Sequence, residues 1–314
     1  MKEKVRVSLV QFAPTWLDRD KNAERMRIFA EREAQEGSEL IVFPELANIG
    51  YITPALPGKS PTFRHGISAT EFGIRYVKAA ESIPGPTTET LGEVSRRYGI
   101  YIIVGIAQLH PVIPATLYNS AVLIGPYGVI GVHQKVHLPA NEKLLFYAGN
   151  TCEVHSTELG NISMVVCYDL RFPELSRIHA LGGAEIICAI YSMPRVGKNI
   201  IGDVQTLKYK AHVRAQENSV YCLVCDRTGR EGDVSFAGHS AIAAPDGQII
   251  AYSESDQEEV IRAELHNEEL IKSRIQLTIF RDRRPDLYAP IVETISQTHR
   301  VNKLPEPTDT LTGS

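Results

Sequence analysis

Three apolar runs in this chain each end on a single reactive side chain, and that punctuation constrains the fold more than any other feature. Residues 38–45 read SELIVFPE and end on Glu45; residues 127–135 read YGVIGVHQK and end on Lys135; residues 161–167 read NISMVVC and end on Cys167. A buried strand of Ile, Val, Leu and Met tolerates no charge in its middle, but it carries one where it leaves the sheet. In open α/β sheets, ligands bind in the crevice beyond the carboxyl ends of the strands. The pattern predicts an α/β fold whose rim gathers a carboxylate, an ammonium and a thiol. Together they would supply a base, an electrostatic clamp and a nucleophile.

Around these runs, strand and helix signals alternate. Residues 5–12 are a β-branched run. Residues 18–37 read as a helix with Asp18 or Asp20 as N-cap, Gly37 closing it, and Ala23, Met26, Ala30 and Ala34 on one face. Residues 40–43 are the next strand, and 52–85 form a Pro-, Gly- and Ser-rich excursion around a helix near 69–82. Residues 87–98, stopped by Gly99, read as a helix, and 100–107 as a buried strand. Two hairpins follow: 118–124 with 129–135 about residues 125–128, and 154–158 with 162–167 about residues 159–161. The alternation resumes with helix 174–181, strand 184–191, helix 204–218 and strand 220–225. A third hairpin, 240–244 with 248–252, turns at Pro245-Asp246-Gly247; strand 260–264 and helix 267–276 complete the pattern. Hairpins inside an α/β alternation argue against a pure doubly wound sheet and predict two mixed sheets with helices outside. The expected organisation is one domain over 1–288 and a polar tail, or an arm laid over a partner subunit, at 289–314.

At 314 residues the chain is long enough for one large α/β domain. With 43% apolar and 22% charged residues, it has the balance of an ordinary globular protein. A net charge of −4 without a basic cluster gives no reason to expect nucleic acid or an anionic membrane as partner. Five irregularly spaced cysteines argue for a reducing compartment rather than a disulfide framework. The N-terminus MKEKVRVSLVQFAP leads straight into a strand without the apolar core of a signal peptide, and no run approaches bilayer-spanning length. A cytoplasmic location is expected.

Cys167 is followed by YDLRFPE, a sharp polar turn entering a helix. That places the thiol near a helix N-terminus, where backbone N–H groups are expected to lower its pKa, and makes the N–H of Tyr168 an oxyanion donor. A lone cysteine in an apolar strand is equally often a small core residue, and taken alone Cys167 fits either role. Glu45 reads as a buried base or as an exposed strand-end carboxylate, and Lys135 as its ion-pair partner or as a snorkelling surface lysine. Glu142 is a candidate second carboxylate, or a helix-start glutamate. His133 and His137 flank Lys135 on one face if the strand stays regular, and His137 reads as a supporting or pocket residue. Two histidines without clustered partners make no zinc site, and no metal is expected. Cys222 and Cys225 have redox spacing but lie inside a strand, so they read as core. Glu217 reads as half of a buried ion pair with Arg214 or Arg171. Phosphate-binding, dinucleotide and zinc-protease motifs are absent from the sequence. The stretch from Tyr191 to residue 204 and the loop 52–80 are expected to line a pocket.

The motifs occur in a specific order: VSLVQFAP at the start, LIVFPEL around Glu45, AESIPGPTT, GVHQKVHLP around Lys135, and VVCYDLRFPEL around Cys167. HVRAQEN, FAGHSAIAAPDG and RRPDLY then follow. In this order the chain resembles the nitrilase superfamily of carbon–nitrogen hydrolases, from residue 5 to about 288. The resemblance implies an αββα sandwich, paired into a homodimer or larger homo-oligomer, that works without metal or organic cofactor. It also implies base, lysine and nucleophile on Glu45, Lys135 and Cys167, with a second glutamate on Glu142. Many nitrilases carry Trp-Glu after the nucleophile; Tyr168-Asp169 here leans towards a small-molecule amide or ureido substrate. KVHLP is similar to N-carbamoyl amino acid hydrolases, and CYDLRFPE to omega-amidases and aliphatic amidases. Tyr168, His137, Arg171 and Tyr191 are the candidate substrate-binding residues. Arg171 either grips a substrate carboxylate or pairs with Glu217.

Overall fold

The computed structural model describes residues 1–51, 68–195, 205–232 and 234–293. One compact unit comprises Met1–Leu277, and Thr278–Ser314 form a second. Most of the expected tail, and much of both expected pocket loops, lie outside the described residues.

The elements of the first unit follow the alternation in the sequence. In chain order they are β1 (Lys4–Gln11), α1 (Arg19–Gln35), β2 (Leu40–Val42), α2 (Ala69–Ala79), α3 (Pro86–Tyr98), β3 (Tyr101–Leu109), β4 (Leu117–Gly125), β5 (Gly128–Gln134), β6 (Val154–Thr157), β7 (Gly160–Val166), α4 (Pro173–Leu181) and β8 (Ile186–Tyr191). They continue with β9 (Pro194–Arg195), α5 (Gln205–Asn218), β10 (Tyr221–Asp226), β11 (Arg230–Glu231), β12 (Val234–Phe236), β13 (Ala241–Ala243), β14 (Ile249–Tyr252), β15 (Glu259–His266) and α6 (Asn267–Gln276). Asp18 caps α1 by accepting from the Lys21 N–H at 3.2 Å, which decides between the two N-cap candidates. Gly99 ends α3 at φ +66°, a left-handed turn that a glycine adopts without penalty.

Two six-stranded sheets form, ordered β15-β1-β2-β3-β4-β5 and β14-β13-β10-β8-β7-β6. The centre of each is parallel, β1-β2-β3 in one and β7-β8-β10 in the other, while the hairpins add antiparallel edges. Alternate side chains explain the layering. Val5, Val7 and Leu9 of β1 pack with Met164 and Val166 of β7 and Ile186 and Ile190 of β8 in the core between the sheets. Side chains on the opposite face of the first sheet, Val10, Ile41, Ile102 and Val104, meet Met26 and Ala30 of α1 and Leu91 and Val94 of α3. Leu207, Ala211 and Ala215 are the buried face of α5, which lies against β10 and β13 of the second sheet. Each fully buried Ile, Leu or Val contributes ~1.5–3 kcal/mol, which offsets the charges buried at the rim. The result is the expected αββα sandwich. Cys222 and Cys225 are buried in β10, as expected of core residues.

A third sheet, β11-β12-β9, has no counterpart in the sequence reading. Its strands are two or three residues long, too short for any alternation to register. No helix among the described residues is long and apolar enough to cross a membrane.

Candidate active site

Glu45 leaves β2 through Phe43 and Pro44. Gly105 on β3 makes room for it: a Cβ there would stand 2.4 Å from the Leu46 nitrogen and 2.6 Å from the Glu45 Cα. Lys135 directly follows β5, and its N–H donates to the Asn119 carbonyl of β4 at 2.8 Å, which fixes its register. Glu142 lies on a short 3₁₀ turn, Ala140–Leu144. The three side chains converge. Lys135 Nζ is 2.8 Å from Glu45 Oε1 and 2.8 Å from Glu142 Oε1. Asn119 Nδ2 donates to Glu45 Oε1 at 2.7 Å, the Tyr51 hydroxyl donates to Glu142 Oε1, and Ser192 Oγ donates to the Glu45 carbonyl at 2.9 Å. Glu45 and Lys135 are 0% exposed, which excludes the strand-end and snorkelling readings.

Burial sets the electrostatics. Loss of water pushes the Glu45 carboxyl above its ordinary range; Lys135 pulls it down and Glu142 pushes it up again. For Lys135, burial opposes the charge, but Glu142 and Glu45 outweigh it and hold the ammonium protonated. An ammonium has three donors and two are used here, so one remains for a third acceptor. Glu45 Oε2 is buried and has no hydrogen-bond partner among the described residues. The network thus leaves two carboxylate oxygens, Glu45 Oε2 and Glu142 Oε2, and one ammonium N–H without a hydrogen-bond partner among the described residues.

Cys167 lies at the end of β7 and opens a 3₁₀ turn, Cys167–Arg171. Its φ is +48°, in the left-handed region, where a residue with a Cβ is held only by its surroundings. Asp169 does the holding. Its carboxylate accepts from the Val166 N–H at 3.2 Å and the His137 N–H at 2.8 Å, and it bonds His133 Nε2 at 3.0 Å and His137 Nδ1 at 2.9 Å. Burial would push Asp169 up, but the hydrogen bonds from His133 and His137 outweigh it and hold the carboxyl well below the usual range. Cys167 itself is half-buried and packs on the core between the sheets.

The expected low thiol pKa is overturned. Burial pushes the Cys167 thiol well up, Glu45 pushes the same way, and Lys135 and Lys210 only partly oppose them. The turn after Cys167 is a five-residue 3₁₀ segment, and α4 starts only at Pro173, so the dipole expected to stabilise a thiolate is too far along the chain. The resting group is a thiol under the field of a carboxylate.

Tyr168 is half-buried, with its ring edge-on to Phe172 at 5.3 Å. The structure places His137 against Asp169 and flat on Phe172, with ring centroids 3.7 Å apart, so it braces the nucleophile turn. The strand ends at Gln134, so Lys135 and His137 do not continue one regular face. Glu217 pairs with Arg214 at 2.9 Å and is half-exposed, correcting the expected buried pair. Arg171 is exposed, with its guanidinium 5.8 Å from the Tyr168 ring. Tyr191 is 2% exposed and accepts from Lys210 Nζ at 3.3 Å through its hydroxyl. Asn119, Tyr51 and Lys210 were missed by the sequence reading, and Ser192 was covered only as part of the stretch from Tyr191 to residue 204. The one legible signal was the polar pair Asn119-Ser120 in the largely apolar strand around LYNSAVLI.

Residues 6–274 match the family model of carbon-nitrogen hydrolases. The chain belongs to that family, within the nitrilase superfamily. A protein named nitrilase from Pyrococcus abyssi is 32% identical over 290 residues, covering 90% of this chain and 99% of its own. The omega-amidase NIT2 of Xenopus tropicalis is 30% identical over 298 residues, covering 91% and 97%. The crystal structure of Nit3 from Saccharomyces cerevisiae, a member of branch 10 of the nitrilase superfamily, superposes with a TM-score of 0.75 at 26% identity, covering 90% and 97%. The same αββα fold recurs in a carbon-nitrogen hydrolase of Helicobacter pylori, with a TM-score of 0.78 at 23% identity over 93% and 99%.

Proposed function

We propose that this carbon–nitrogen hydrolase cleaves a small linear amide or N-carbamoyl compound through a thioester on Cys167. The observation that carries the reading is the split use of Glu45, whose Oε1 is committed to Lys135 and Asn119 while Oε2 has no partner among the described residues. Glu142 is split in the same way, but Glu45 is the charge that acts most strongly on the Cys167 thiol. In the proposed cycle, Glu45 takes the thiol proton as the sulfur attacks the carbonyl carbon. Lys135 and the Tyr168 N–H hold the oxyanion. The tetrahedral intermediate collapses as Glu45 returns the proton to the departing ammonia or amine. Water, deprotonated by Glu45, then attacks the thioester, and its proton goes on to the thiolate. Glu142, tied to Tyr51, keeps Lys135 aimed at the reacting centre.

Amide and ureido substrates are preferred over nitriles because Tyr168-Asp169 stands where many nitrilases have Trp-Glu, and because relatives named omega-amidases match nearly the whole chain. The relative named a nitrilase keeps nitriles in the test. A reducing, cytoplasmic setting fits five unpaired thiols. Exposed apolar side chains on α4 and α5, Ile178, Leu181, Tyr209 and Val213, fit a homodimer or larger assembly. The test is an ammonia-release screen across omega-amides, N-carbamoyl amino acids, aliphatic amides and nitriles, with Cys167→Ala as control. Turnover within at least one of the first three classes, abolished in the variant, is expected. Undiminished ammonia release by the variant overturns the reading.

A further inference from the structure

Lys210 is a cation that acts on the Cys167 thiol and that the cycle above does not use. It lies on α5 between the buried Leu207 and Ala211, so its stem runs inward and its ammonium reaches the rim of the second sheet. Nζ donates to the Tyr191 hydroxyl at 3.3 Å and stands 5.2 Å from the centroid of the same ring. Strand register explains why this is next to the nucleophile. Val166 pairs with Ile190, so the residues that follow them, Cys167 and Tyr191, stand side by side where β7 and β8 leave the sheet.

The charge on Lys210 is unbalanced. Among the described residues its only hydrogen-bond partner is a neutral phenol, and no carboxylate is within ion-pair distance. Of the charges that act on it, Cys167 would favour the ammonium but is itself pushed towards the neutral thiol, and Arg171 and Arg214 are like charges. Arg214 is already committed, to Glu217 at 2.9 Å and to the Leu170 and Arg171 carbonyls at 3.0 and 3.1 Å. Asp226 acts on it as well, but burial pushes that carboxyl well above its ordinary range, so it offers little negative charge. A half-buried ammonium in this setting is costly unless something anionic meets it. Burial accordingly pulls the Lys210 pKa down, and a bound anion would reverse that shift.

We propose that Lys210, aimed by the Tyr191 hydroxyl, binds the carboxylate of the substrate, so that the enzyme acts on small acids carrying a terminal amide or ureido group rather than on neutral amides. The inference rests on the hydrolase reading above and sharpens it to a substrate class. The shared chemistry is an anionic head a few bonds from the scissile carbonyl. Monoamides of dicarboxylic acids and N-carbamoyl amino acids both provide it. Arg171, exposed on the nucleophile turn, is not required for this contact.

The test uses the full-length enzyme and two matched pairs: succinamate against butyramide, and N-carbamoyl-β-alanine against N-propylurea. In each pair the chain length is similar and only one member is an acid. Wild-type enzyme is expected to favour the acid in at least one pair, and the pair that responds identifies the amide or the ureido source. Lys210→Met is expected to lower the acid-to-neutral ratio of kcat/KM by about 30-fold, mainly through KM, and Lys210→Arg to restore most of it. A merely structural lysine would lower both members alike and leave the ratio where it was. That result, or a wild-type enzyme indifferent to the carboxylate, overturns the assignment while leaving the hydrolase intact. If none of the four compounds yields ammonia and no thioester forms on Cys167, the hydrolase reading fails and this inference fails with it.

Discussion

The rims of the two sheets present the reagents in opposite ways. On the first, Glu45, Lys135, Glu142, Asn119 and Tyr51 are buried and joined by hydrogen bonds. On the second, Cys167 and Tyr168 are half-buried, and the sulfur is held by a left-handed backbone that Asp169 pins from below. The difference fits what the proposed cycle asks of each. Charges that stabilise a transition state work best when fixed in low dielectric before the substrate arrives, because reorganising them during reaction adds to the barrier. A nucleophile must instead remain reachable, so its rigidity comes from the main chain rather than from partners on the reacting atom.

This contrast predicts a graded response to substitution. Removing the base should do most: Glu45→Gln is expected to reduce turnover by about a thousand-fold or more, read as ammonia release at saturating substrate. A loss under ten-fold would place proton transfer elsewhere. Lys135→Gln should reduce kcat by ~100-fold with a smaller effect on KM, since its free N–H acts on the oxyanion. The same change leaves two buried carboxylates without their cation and should destabilise the fold by ~3 kcal/mol, read from denaturant unfolding. A loss confined to KM would contradict the role.

The second rim should be more forgiving. Asp169→Asn keeps an acceptor but loses the charge that binds both histidines, so an activity loss of ~10-fold is expected, carried by misplacement of the Cys167 turn. Stability should fall too. The Asp169 carboxyl is depressed in the folded chain, so its stabilising contribution is present above the unfolded carboxylate range and disappears as pH falls through its folded value. Wild type and variant should therefore converge in stability at strongly acidic pH. Parallel curves would show that the charge is not what matters.

Much of this organisation was legible. Apolar runs long enough to show periodicity gave both main sheets, and the three reactive residues stood out because each interrupts such a run at its end. The partners did not stand out. Tyr51 reaches Glu142 across 91 residues of sequence and Lys210 reaches Tyr191 from a helix that also carries Lys208, so nothing local distinguishes either from a surface residue. The direction of the Cys167 shift was misread for the same reason. A helix start is visible in sequence, whereas burial beside Glu45 is a property of two sheets coming together.

An effect on stability alone concerns a bystander of the second rim. His179 is fully buried near His133, and burial pulls its pKa to about 4. Because the unfolded chain takes up the proton first, this histidine should erode stability as pH falls from its unfolded value of about 6.5, by up to about 3 kcal/mol below its folded one. His179→Gln should flatten that part of the stability curve. An unchanged slope would assign it to other groups.

The most direct test of the convergence of Cys167, Glu45 and Lys135 is to quench the enzyme in acid during turnover of succinamate and map any acyl adduct by peptide mass. The account predicts one thioester, on the peptide carrying Cys167, which is absent in Cys167→Ala and strongly depleted in Glu45→Gln. Steady ammonia release with no adduct, or an adduct on Cys152, Cys188, Cys222 or Cys225 instead, would contradict it.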